Sequence, residues 1–276
     1  MLFSTGHLIW IAVSAALIAG GLAYCLRRKP PLRRVLTACL ALGAASEVVK
    51  VFSVAEIVPM VDPVIAESAG GAVIGWAPTG QYTPYLAMEH LPLELCSLYL
   101  FFTLFALAVR DGKWKKRLYA VMFATGTLGG LMGIALSSIA ADYPTAGAFF
   151  SSVRAWQFFL YHSMIVTVSL YLGLSGESGL VFSDWKKAVL GLLLLDLPTF
   201  YLNSVFSSEV YVHDKVAGVT HRINFFSSYV NPLGLVLTEK RQWIAYLIVR
   251  AACAVAAVVL LYLPLGRKGG RARGDR

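Results

Sequence analysis

The side chains best suited to covalent chemistry in this sequence are a thiol, Cys96, and an imidazole, His162. A thiol is a weak nucleophile until a base takes its proton, and an imidazole within hydrogen-bond reach is the usual base. A carboxylate can orient that imidazole or stabilise its cation, and Glu47, Glu94 and Asp196 are the candidates. Bland readings stand beside each of these. Cys96 also suits the role of a small buried residue, and His162, flanked by Tyr161 and Ser163, that of an interhelical hydrogen-bonding group. Glu47 and Lys50 stand three apart and suit a neutralising pair, as do Asp196 and Arg250 between two helices. His90 and Glu94 have the i, i+4 spacing of metal ligands, but no third ligand is near and no His-Glu-x-x-His pattern occurs, so no metal is expected. No phosphate-cradling glycine loop, nucleotide fingerprint or haem motif is present, and no cofactor is expected.

These residues are set in a chain that is 58% hydrophobic and 14% charged over 276 residues, with mean hydropathy +0.68. Soluble domains carry about 25% charged residues, so this chain has too little polar sequence to coat a core. Apolar stretches recur along its length and read as spanning helices. The net charge of +9 does not point to nucleic acid, because the cations form short runs between apolar segments. The runs are Arg27–Lys29 with Arg33 and Arg34, then Arg110–Arg117, then Lys186 and Lys187, then the terminal Arg267–Arg276. That is the pattern of cytoplasmic loops under the positive-inside rule. The four cysteines all fall in apolar segments, so no disulfide framework is expected.

The expected architecture is all-α: a polytopic bundle of seven transmembrane helices, N-terminus out and C-terminus in. Residues 1–266 form the membrane domain and 267–276 a basic cytoplasmic tail. The first span, about His7–Leu26, has its positive charge after it and reads as a retained anchor instead of a signal peptide. The second covers about Val35–Met60, followed by an outer Gly/Pro-rich segment, Asp62–Tyr85, resting at or dipping into the interface. The third covers about Ala87–Val109 and the fourth, with Gly126, Gly129, Gly130 and Gly133 for close packing, about Leu118–Ala140. The fifth covers about Val153–Leu174 and the sixth about Lys187–Phe206. An outer loop, Ser207–Arg241, leads to the seventh at about Gln242–Leu265. On this arrangement 17 of the 24 Lys and Arg lie inside and five outside.

Ionisable groups within a bilayer cost roughly 2.5–3.5 kcal/mol each and mark a site by default. Glu47, Lys50, Glu94, Cys96, His162, Asp196 and Arg250 fall about 7–13 residues inside the outer ends of five spans, roughly 12–20 Å deep at 1.5 Å per residue. One polar layer, reachable from the outer leaflet, is the expectation.

The segment His90-Leu-Pro-Leu-Glu-Leu-Cys-Ser97 resembles the Leu-Pro-x-x-x-Cys helix of the YwaF-like bacterial membrane proteins. Trp156-Gln-Phe-Phe-Leu-Tyr-His-Ser163 is similar to the histidine-bearing helix of that family. Asn203 with Asn224-Phe-Phe-Ser-Ser-Tyr-Val-Asn-Pro232 is similar to its Asn-rich outer segment. Order and spacing agree from the second span to the seventh; Glu94 departs from the pattern, standing where relatives often carry His. The family in turn resembles an animal multi-pass protein that transfers polyunsaturated acyl chains onto ether lysophospholipids through a cysteine and a histidine. The resemblance implies a membrane-embedded acyltransferase with Cys96 and His162 as its catalytic pair, in the bacterial cytoplasmic membrane. Membrane phospholipids would be its substrates, with no nucleic acid and no obligate protein partner. Asn203 or Asn224 would stabilise an oxyanion or hold a headgroup, and Arg250 or Lys50 would bind a phosphate. Two other classes fit the same layer: a secondary transporter or channel, with Pro92 and Pro198 as helix breaks, and a lipid-sensing or structural protein.

Overall fold

A computed structural model describes residues 3–66, 72–143, 145–212, 215–221, 224–227 and 238–269. Helix α1 (Thr5–Arg28) begins where the Ser4 hydroxyl accepts the His7 N–H, and it stops at Lys29, whose φ of 47° is left-handed. Pro30 and Pro31 follow, and Pro31 opens helix α2 (Leu32–Val54), because the fixed φ of proline and its missing N–H suit a helix start. Helix α3 is Leu95–Ala108. Helix α4 (Lys113–Ala124) runs through one π-helical turn, Thr125–Gly129, into α5 (Gly130–Ala135). A short α6 (Ala146–Ser151) precedes α7 (Val153–Leu174), which Ser152 caps. Helices α8 (Trp185–Phe206) and α9 (Lys240–Gly269) complete the bundle. Among the described residues, six helical stretches are long and apolar enough to cross a membrane: Thr5–Arg28, Leu32–Val54, Lys113–Ala135, Val153–Leu174, Phe182–Phe206 and Lys240–Gly266. The protein is a polytopic helical membrane protein.

The third expected span differs most from expectation. Its helix begins at Leu95 instead of about Ala87 and is 14 residues long. Pro92 is the cause, since a proline drives the residue before it out of the helical region. Leu91 is extended at ψ 146°, Glu94 is still extended at ψ 152°, and the helix starts only after it. His90 closes a short 3-10 turn (Met88–His90) and Glu94 is the N-cap of α3, so the two do not share a helical face as metal ligands would. The expected outer loops also contain regular structure, which the all-α reading lacked. Strands β1 (Glu56–Ala66) and β2 (Ala72–Tyr85) pair antiparallel, as do β3 (Ser208–Val212) and β4 (Lys215–His221). The Tyr229–Pro232 part of the Asn-rich segment and the tail from 270 lie outside the described residues.

Helix α7 is the central element, packed against α1, α2, α5 and the π-turn. Glycines allow the approach: an added Cβ would meet Leu95 at Gly129, Val166 at Gly130 and the His162 ring at Gly133. At one end the loops are tied together. Glu177 accepts the Leu32 N–H at 2.8 Å, Tyr171 donates to the Pro30 carbonyl at 2.6 Å, and Asp184 binds Lys187 and Lys116. Those contacts gather the basic loops after α1, α3 and α7 at one end of the bundle. The lateral surface is apolar, with Phe52 and Val205 among its most exposed side chains, as a protein dissolved in lipid requires.

Candidate functional site

The delayed start of α3 puts Cys96 at the second position of a helix instead of deep within one. The first hydrogen bond of α3 runs from Leu98 N–H to the Glu94 carbonyl at 2.9 Å, so the Leu95, Cys96 and Ser97 N–H groups have no partner within the helix. A helix N-terminus favours negative charge. Of the charged side chains acting on the thiol, Lys50 favours the thiolate, whereas Glu94 and Glu47 oppose it.

Helix α2 brings two of these. Lys50 donates to Glu47 Oε2 at 3.0 Å, and Ser97 of α3 donates to Glu47 Oε1 at 3.2 Å. The pair expected on α2 is therefore formed, and it is tied across to the residue beside Cys96. Helix α7 supplies the other wall. Tyr161 donates to the Cys96 carbonyl at 3.0 Å, and Gln157 donates to Ser46 of α2 at 2.7 Å.

His162 is buried on α7, with Nδ1 2.7 Å from the carbonyl of Phe158 one turn earlier. A carbonyl oxygen only accepts, so in the neutral ring the proton resides on Nδ1 and Nε2 carries the lone pair. That is the tautomer a general base needs. A backbone carbonyl orients this imidazole, where sequence reasoning offered Glu47, Glu94 or Asp196. The ring lies against Gly133 and Phe158, with centroids 4.1 Å apart in the latter case. No hydrogen bond joins the imidazole to the Cys96 thiol among the described residues. The two side chains belong to neighbouring elements, linked through the hydrogen bond from Tyr161 to the Cys96 carbonyl.

An apolar groove of about 480 Å³ runs between α2 and α3 beside this cluster. Leu40, Ala44, Val48, Leu100, Phe101 and Leu104 line its length, with Glu47, Ser97 and His90 as its polar lining.

The remaining expected residues form a second cluster. Asp196 and Arg250 are ion-paired between α8 and α9, and Arg250 also donates to the Phe226 carbonyl at 2.6 Å. Asn203 uses both ends of its amide on Phe225, accepting its N–H at 2.7 Å and donating to its carbonyl at 3.1 Å. Tyr246 donates to Ser227 at 2.6 Å, and the Asn224 carbonyl accepts the Ser227 N–H at 3.1 Å. Phe226 and Ser227 both have positive φ, 58° and 52°. Residues 224–227 are thus a strained turn held by α8 and α9. The Phe226 N–H acts electrostatically on the Glu94 carboxylate, so this cluster neighbours the start of α3. Sequence reading missed Ser97, Tyr161, Phe158 and Gln157; Tyr161 and Gln157 were discernible only as neighbours of His162 on its helix.

Neither curated proteins nor solved structures give a match to this chain. The profile of the TMEM164 family matches residues 2–262, nearly the whole length. On that match, with its buried polar cluster set among spanning helices, the chain belongs to the TMEM164 family, an animal multi-pass membrane family.

Proposed function

We propose that this protein is a membrane-embedded acyltransferase that moves a fatty acyl chain between phospholipids through a thioester on Cys96. The carrying observation is the position of Cys96: the second residue of α3, next in the chain to Ser97, which lines the apolar groove between α2 and α3. A chain entering from the bilayer would lie between α2 and α3 with its ester near the N–H groups that open α3. The basic end of the bundle faces the cytoplasm, and the hairpin end faces out.

In the first half-reaction the Cys96 thiol gives its proton to His162 Nε2, and the sulfur attacks the ester carbonyl. The N–H groups at the start of α3 stabilise the oxyanion. The carbon–oxygen bond then breaks, the departing glycerol oxygen takes the proton from the imidazolium, and a lysophospholipid leaves. In the second half-reaction Nε2 removes the proton of an acceptor lysophospholipid hydroxyl, whose oxygen attacks the thioester. The carbon–sulfur bond breaks and the thiolate recovers its proton from His162. The imidazole closes on the thiol as the ester fills the space between them; catalytic contacts often tighten only with substrate bound.

The test is chemical. Purified protein incubated with a phospholipid radiolabelled in its acyl chain should acquire a hydroxylamine-sensitive label that is lost in Cys96→Ala. Equal labelling of that variant excludes the nucleophile, and solute flux without lipid turnover assigns the protein to the transporter class.

A further inference from the structure

Among the described residues, three cations lie among the groups around these helices, and two have carboxylate partners: Lys50 with Glu47, and Arg250 with Asp196. The third is Arg154. It is the second residue of α7 and is half-buried. Its guanidinium donates to Gln157 Oε1 and lies 5.8 Å from the centre of the Phe158 ring. The carboxylates whose charge reaches it are Glu47 and Asp142, and neither is within ion-pair distance among the described residues. Both Glu47 oxygens are already taken, by Lys50 and Ser97. A guanidinium has five donors in a planar fork suited to a phosphate or carboxylate, and one contact to Gln157 uses little of that capacity. An arginine near the end of a spanning helix reaches towards the interface, where lipid phosphates lie.

Its placement also fits the chemistry. Arg154, Phe158 and His162 descend one side of α7 at i, i+4 and i+8, a rise of about 12 Å. The Phe158 ring lies between the guanidinium and the imidazole, within 5.8 Å of the first and 4.1 Å of the second. An anion held at Arg154 would therefore have the rest of its molecule directed towards His162 and Cys96. The order along a phospholipid is the same: phosphate, glycerol, ester, chain.

We propose that Arg154 is an anion-binding residue that takes the phosphate of a lipid headgroup at the end of α7, two turns from the base. The lipid source of that phosphate rests on the acyltransferase reading; the anion site itself does not. Gln157, braced by Ser46 of α2, holds the guanidinium in place.

The test uses full-length Cys96→Ala protein in detergent, so that no turnover enters the measurement. Binding of radiolabelled lysophosphatidylcholine is compared with that of a monoacylglycerol of the same chain, which lacks the phosphate. Adding Arg154→Gln should weaken lysophosphatidylcholine binding by about 10- to 100-fold, the range for loss of a charged hydrogen bond, and leave monoacylglycerol binding unchanged. Arg154→Lys, which keeps the charge without the fork, should bind between the two and melt at the temperature of the parent. Equal lysophosphatidylcholine binding by Arg154→Gln overturns the proposal, as does a parallel loss of monoacylglycerol binding. Displacement of the label by inorganic phosphate would assign the site to free phosphate and overturn the lipid headgroup. Retained binding by a protein that never forms a thioester would leave this inference standing while the acyltransferase reading fails.

Discussion

Gly133→Ala tests whether His162 acts through its ring nitrogen. A Cβ at Gly133 would lie 2.5 Å from Cδ2 and 2.6 Å from Nε2 of His162. Ordinary carbon contacts begin at about 3.5 Å, so the ring must retreat by about 1 Å. It has little room to do so. Phe158 packs on it with centroids 4.1 Å apart, and a shift of that size stretches the 2.7 Å bond from Nδ1 to the Phe158 carbonyl beyond useful length. Losing that bond costs about 0.5–1.5 kcal/mol and the overpacking about 1–3 kcal/mol, while alanine returns up to about 1 kcal/mol of helix preference over glycine. The net expectation is a loss of about 1–3 kcal/mol, read as a lower melting temperature in detergent. The rate should suffer more than the stability, because misplacing a catalytic group by 1 Å costs about 100-fold. The assay is the initial rate at which hydroxylamine-sensitive label appears on Cys96. Gly20→Ala in α1, where nothing lies within 4 Å of an added Cβ, is the control and should keep the parent rate. A folded Gly133→Ala protein labelled at the parent rate would refute the role given to the imidazole.

Two further substitutions probe the elements around the pair. Pro92→Ala releases Leu91 from its extended conformation and should let α3 grow backwards, closing hydrogen bonds on the Leu95–Ser97 N–H groups. The thiolate then loses a helix-terminus interaction worth about 0.3–2 kcal/mol, so labelling should slow by about 2- to 30-fold while circular dichroism shows no loss of helix; an unchanged rate contradicts the assignment. Asn203→Ala leaves the Phe225 N–H and carbonyl without their buried partner. The expected loss is about 2–4 kcal/mol in thermal melting, and an unaltered melting temperature would show that the turn does not depend on this clamp.

The membrane class and the span positions were legible because hydropathy reports burial in lipid directly. Ser4 before α1, the Pro30-Pro31 pair before α2 and Ser152 before α7 are local signals, and the helices start beside them. The third span was misread because apolar residues continue through Ala87–Val109 while Pro92 sits inside them. Hydropathy does not register a backbone that has left the helix. Both hairpins were missed for a related reason. Ala72–Trp76 is an apolar run in a Gly/Pro-rich context, and such runs read equally as interfacial loop or strand. Pairing with a partner strand supplies backbone hydrogen bonds that sequence periodicity does not reveal.

The polar layer shows the limit of reasoning from depth. Counting residues inward placed seven groups at one level, and depth carries no information on which way a side chain points. The structure divides them: Glu47, Lys50, Cys96 and His162 lie around α2, α3 and α7, Asp196 and Arg250 pair beside the turn at 224–227, which Asn203 also holds, and Glu94 stands at the start of α3. Asn203 and Arg250 spend their hydrogen bonds on that turn, so their contribution to the first cluster passes through the backbone of Phe226 and the carboxylate of Glu94. Two consecutive non-glycine residues at positive φ cost of order 1–3 kcal/mol each and persist only when their surroundings over-determine them. Asn203, Tyr246 and Arg250 from α8 and α9 do so here, and the carboxylate of Glu94, the residue before α3, acts on the Phe226 N–H. The start of α3 is therefore fixed twice, by Pro92 within the chain and by the 224–227 turn across the bundle. Cys96 gains its place at a helix N-terminus from both.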